Sequence, residues 1–156
     1  MMQNNKDESY PFLEGDYLLA KMHGIKYSKF TVLQDHDWVE KNQKGSCHDQ
    51  VMYELAEFRK AGLNPKADFI IQVGPDGQGY ETHSFVYLNK DGKYIWFEHA
   101  WGAEKGIHIY NSYSAMKKDI IDRWKVPSGL KVVWGTFNDS KVKSGDDLQT
   151  VVDKCL

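Results

Sequence analysis

Residues 80–101 read YETHSFVYLNKDGKYIWFEHAW, and this stretch decides the fold. β-Branched and aromatic residues dominate from Tyr80 to Leu88 and again from Tyr94 to Trp101, and the Asp91-Gly92 pair between them signals a tight hairpin. A two-residue loop pairs Lys90 with Lys93 and Tyr87 with Trp96, which sets His83 opposite Ala100 with Glu98 diagonally beside it. Side chains alternate between faces, so His83, Phe85 and Tyr87 share one side and Ser84, Val86 and Leu88 the other. A three-residue loop with a bulge would slip the register by one and bring His99 to His83 instead of Glu98. A polar residue leading an aromatic face needs a partner, and the face is expected to meet the helix that precedes the sheet.

That helix is the clearest in the chain. Ser46 caps it, and Asp49 three residues later gives capping-box spacing with Asp in place of Glu or Gln. Cys47, Val51, Leu55 and Phe58 follow along one stripe, and Gly62 ends the run before Asn64-Pro65. Two weaker helices come first, Phe12 to about His23, stopped by Gly24, and Asp35 to Asn42, with Asp35 as N-cap. Lys26–Leu33 between them reads as extended. Phe69–Val73 reads as a strand leading through the glycine-rich segment 74–79 into the hairpin. Beyond it come a helix from Ser114 to Trp124, a strand from Leu130 to Thr136 and a terminal helix from Asp146 to Lys154. Helices followed by antiparallel strands give an α+β class, helices packed on an antiparallel sheet. The expected organisation is one domain, residues 11–156, behind a disordered N-terminus, residues 1–10.

Composition narrows the function classes. With 156 residues, 41% hydrophobic and 27% charged, the chain can bury a sizeable core. A net charge of −2 with scattered Lys and Arg leaves no footprint for nucleic acid and no polybasic membrane anchor, and no apolar run approaches a membrane span. The opening residues lack the apolar core of a signal peptide, so a cytoplasmic location is expected. Two cysteines do not make a disulfide framework. Cys155, next to the last residue, is expected on a fraying end.

Cys47 carries the chemistry. A thiol is a nucleophile only as thiolate, and a helix N-terminus and a neighbouring imidazolium both lower its pKa. His83 is the best-placed imidazole, Glu98 the group expected to orient it, and His99 the alternative third member. The Cys47 backbone N–H at the helix start is one candidate oxyanion donor, with the Trp38 indole or the Gln43 amide as the second. His48 lies about 100° further round the helix, which predicts a surface position. Cys47, His83 and His99 lack the spacings of a zinc site, and the 74–79 loop lacks the Lys-Ser/Thr of a phosphate cradle and opens no helix, so neither a metal nor a cofactor is expected.

Three segments together, GSCHDQV (45–51), THSFVYL (82–88) and YIWFEHAW (94–101), resemble the core motifs of the transglutaminase-like superfamily, in which a Gly-x-Cys opens a helix, a His leads one strand and an acid ends the next. The resemblance spans residues 35–102. It implies a papain-like core and a Cys47–His83–Glu98 triad performing peptidase, deamidase or transglutaminase-type chemistry on a protein or peptide substrate. The chain departs from the family pattern in having Glu followed by His-Ala-Trp where an Asp is usual. Two other readings stand beside it. One is an inactive module of the same fold that binds a peptide or partner protein. The other is a peptidase similar to the NlpC/P60 type, whose third member is often His, as His99 would be. Oligomeric state is open.

Overall fold

The computed structural model describes residues 13–156; the expectations for residues 1–10 and for a helix start at Phe12 lie outside them. In chain order the elements are α1 (Leu13–Lys21), β1 (Lys26–Tyr27), α2 (His36–Asn42), β2 (Lys44–Gly45), α3 (Cys47–Lys60), β3 (Lys66–Val73), β4 (Gly79–Lys90), β5 (Lys93–Glu98), β6 (Gly106–Tyr110), α4 (Tyr113–Trp124), β7 (Lys131–Thr136) and α5 (Leu148–Cys155). Side-chain caps fix the helix starts. Asp35 accepts from the Trp38 N–H, Ser112 from Ala115 and Asp147 from Thr150, while Ser46 and Asp49 form a reciprocal capping box at α3.

β4 and β5 adopt the two-residue hairpin register, with Tyr87 opposite Trp96 and Lys90 opposite Lys93. Asp91 and Gly92 both have positive φ, 53° and 77°, which is the backbone such a loop requires. The five-stranded sheet has the order β6-β5-β4-β3-β7 and is antiparallel throughout. β6 is an addition to the sequence reading, and its signal is the alternation of Ile107 and Ile109 with His108 and Tyr110. The extended segment expected over Lys26–Leu33 is reduced to Lys26–Tyr27, which pairs in parallel with Lys44–Gly45.

Helices cover both faces of the sheet. Val51, Leu55 and Phe58 of α3 join Leu18, Val39 and Val151 against Phe69, Val86, Leu88 and Phe97. On the opposite face Met116 and Ile120 of α4 pack on Ile70, Phe85, Tyr87 and Trp96. The face led by His83 therefore meets α4 and not α3, contrary to expectation. Alternation shows which side chains share a face, but the choice of helix for that face is made by connections that alternation does not encode. Cys155 corrects a second expectation. It is buried in the α3-side core, because β7 carries Gly135 where α5 ends. A Cβ on Gly135 would run into the Cys155 carbonyl and the Leu156 side chain, so only glycine lets that helix end settle on the strand.

Candidate active site

β4 extends beyond its last pair with β5, Val86–Phe97, and the first turn of α3 comes down against that extension. Gly45 leaves room for the cap of that turn. Its added Cβ would lie 2.8 Å from the Cβ of Asp49, within the capping box. Cys47 is the first residue of α3, and Ser46 and Asp49 satisfy each other's backbone N–H groups (3.3 and 2.9 Å). The thiol thus sits where helix N–H groups and the positive end of the dipole converge.

Cys47 and His83 line one cleft of about 380 Å³ together with Tyr27, Glu81, Thr82, Ala100, Trp101, Arg123 and Trp124. His83 Nε2 donates to Glu98 Oε1 at 2.8 Å, leaving Nδ1 for the thiol. Glu98 is 2% exposed, and its remaining capacity is filled by the Trp96 indole N–H (3.1 Å) and the Trp101 backbone N–H (2.9 Å). Three donors on one buried carboxylate fix its plane, and the Trp101 ring packs edge-on against the imidazole at 5.5 Å.

Electrostatics follow this arrangement. Burial pushes the Cys47 thiol up, but the charge and contact of His48 and then of His83 outweigh it and hold the thiol well below its ordinary value. Burial works to lower the His83 pKa, while the Glu98 charge and the Cys47 contact raise it to about 10. Thiolate and imidazolium thus favour each other. Burial and then the Glu98 charge push the carboxyl of Glu54, two turns along α3 from Cys47, well above the usual carboxylate range.

The other expected participants lie elsewhere. His99 faces α3 and donates from Nδ1 to Gln50 Oε1 at 2.7 Å, and burial followed by the Lys105 charge lowers its pKa to about 4. The two-residue register gives the imidazole Glu98 and turns His99 to the other face, so His99 does not serve as third member. Gln43 ends α2 in the left-handed conformation, and its amide donates to the Glu40 carbonyl at 2.8 Å. Trp38 packs on the apolar core. Neither lines the cleft, so both fall as second oxyanion donors. The 74–79 loop is likewise not among the cleft-lining residues. His48, expected at the surface, is buried and bonded to Ser84 (2.8 Å) and Thr82 (3.1 Å). Tyr27 went unnoticed in the sequence. It is 60% exposed beside the thiol because β1 pairs with β2, a contact between segments too short to leave a pattern.

Among the described residues one group has the geometry of a metal site, His36, Glu40 and Glu57, with ligand atoms within 4.8 Å of one another. Glu57 there already accepts from Lys21 (2.9 Å), His36 (2.6 Å) and Lys60 (3.0 Å), so the protein's own cations occupy it. Compared with protein-family models, with curated proteins and with solved structures, the chain matches none.

Proposed function

We propose that this chain is a cysteine-dependent acyl-chemistry enzyme of the transglutaminase-like type, cleaving or transferring an amide through a thioacyl intermediate. One observation carries the reading: a thiol at a capped helix N-terminus faces an imidazole whose far nitrogen is bonded at 2.8 Å to a buried carboxylate. Cys47 sulfur adds to the carbonyl carbon as the carbonyl electron pair moves to oxygen, and the Cys47 backbone N–H is the donor at hand for that oxyanion. Collapse breaks the C–N bond, and the departing amine takes its proton from His83. Water or a second amine then attacks the thioester and gives a proton to His83. As the carbonyl re-forms, the C–S bond breaks and releases Cys47 as thiolate. Glu98 keeps the ring oriented and offsets its positive charge throughout. The cleft walls of Tyr27, Trp101 and Trp124 suit a peptide segment with apolar contacts around the reacting carbonyl.

Iodoacetamide alkylation of Cys47 across pH, read by mass spectrometry of the modified peptide, tests the proposal. The midpoint is expected well below ~8.5, the unperturbed thiol value, and to rise in His83→Ala. An ordinary midpoint in the wild-type protein would remove the nucleophile and with it the reading.

A further inference from the structure

The first turn of α3 presents two side chains to β4 in opposite senses. Cys47 goes to His83 on the cleft side. His48, the next residue, reaches the other side of the same strand, where Ser84 Oγ meets its Nδ1 at 2.8 Å and Thr82 Oγ1 its Nε2 at 3.1 Å. Thr82 and Ser84 are the two residues flanking His83, and alternation turns them away from it. The same three strand residues thus hold the same helical turn from both sides. Around it the His48 ring stacks on Phe69 (5.3 Å) and meets Phe30 edge-on (5.1 Å), so it has one available orientation. A buried turn needing only apolar packing among phenylalanines would be filled without the desolvation cost of an imidazole. This one has both nitrogens engaged by strand hydroxyls.

We infer that His48 is a positioning residue for the Cys47–His83 pair: its bonds to Thr82 and Ser84 pin the thiol-bearing turn to the strand that carries the imidazole. The inference rests on the acyl-chemistry reading and divides the labour within it. His83, lining the cleft and backed by Glu98, moves the proton. His48, enclosed and doubly bonded, sets the distance. Other titratable and charged groups around the thiol are Glu98 from β5 behind His83, Tyr27 from β1, Glu54 along α3, and Glu81 and Arg123 lining the cleft.

The test is the pH profile of Cys47 alkylation in the full chain for wild type, His48→Ala, His48→Asn and His83→Ala, with melting temperature recorded for each. At pH 6 the Cys47 rate is expected to fall about tenfold in His48→Ala, with the midpoint rising by about one pH unit. His48→Asn retains a donor near the Nδ1 position and is expected to recover melting temperature and part of the rate. His83→Ala is expected to leave the midpoint still below ~8.5, because the thiol keeps its place at the start of α3. If His48→Ala does not fold, Thr82→Val combined with Ser84→Ala removes the same bonds from the strand side, and a several-fold loss of rate at pH 6 is expected there. An unchanged midpoint in folded His48→Ala, or in the strand double variant, overturns the inference and leaves the acyl reading intact. An ordinary midpoint in wild type overturns the acyl reading itself.

Discussion

Cys47 and Cys155 are each 6% exposed, and they are opposite in chemistry. Cys155 ends α5 within an apolar core, at the negative end of its helix, and burial alone pushes its thiol up to about 12. Cys47 opens α3, at the positive end, with two imidazoles against it, and its thiol is held well below the ordinary value despite the same exclusion of water. Burial therefore does not decide whether a cysteine is inert. It raises the cost of any charge, and the charges already in place decide which way that cost is resolved.

The largest consequence is kinetic. At pH 7 a thiol titrating near 12 is ionised to about one part in 10⁵, so Cys47 should alkylate at least ~10²-fold faster than Cys155 even after its lower intrinsic nucleophilicity is allowed for. Peptide-level mass spectrometry after brief iodoacetamide exposure measures the ratio, and equal labelling of the two sites would break the comparison.

Glu98→Gln sharpens it on the Cys47 side. Without the carboxylate charge the His83 pKa drops from about 10 toward its ordinary value. Acylation by a peptidyl activity-based probe should fall about 10²-fold, in line with losing the group that orients a catalytic imidazole. The same linkage has a stability signature. A His pKa raised in the fold contributes stability that is complete below the unfolded value of ~6.5 and is lost as pH rises toward about 10. A thiol pKa lowered in the fold contributes above its unfolded value and is lost as pH falls. The two slopes cancel between ~6.5 and ~8.5, where the pair stabilises most, and the alkaline decline in melting temperature between ~8.5 and ~10 should flatten in His83→Asn.

Gly135→Ala attacks the other cysteine. The new methyl meets the Cys155 carbonyl and must lift the end of α5 from β7. The expected cost is about 1–3 kcal/mol in chemical denaturation, with faster Cys155 labelling and unchanged Cys47 labelling. The smallest effect is expected from Ser46→Ala, which removes the cap under Cys47 and should cost about 1 kcal/mol while raising the alkylation midpoint slightly.

Much of this was legible in residues close along the chain. Asp91-Gly92 gave the hairpin and its register, and the register gave Glu98, since pairing about a two-residue turn is a matter of counting. Ser46 and Asp49 gave the start of α3 and so the place of Cys47 within the dipole. The errors share a cause. His48 was expected outside because an angle around a helix says nothing of what surrounds that helix, and here α3 is buried on nearly every side of its first turns. Trp38 and Gln43 were proposed from nearness in sequence, and the left-handed end of α2 directs the Gln43 amide back to its own helix.

The sequence by itself determined the local geometry, namely the caps, the tight turn, the alternation along β4 and the identity of a thiol, an imidazole and an acid in order. These follow from backbone dihedral preferences and hydrogen bonds within a few residues. The tertiary structure alone decided that α4, and not α3, covers the face led by His83, that β1 brings Tyr27 to the cleft, and that His48 grips the strand beside the thiol. Those outcomes depend on how long-range connections route helices across a sheet, and on which buried polar groups find partners once water has gone, neither of which is written into any short stretch of chain.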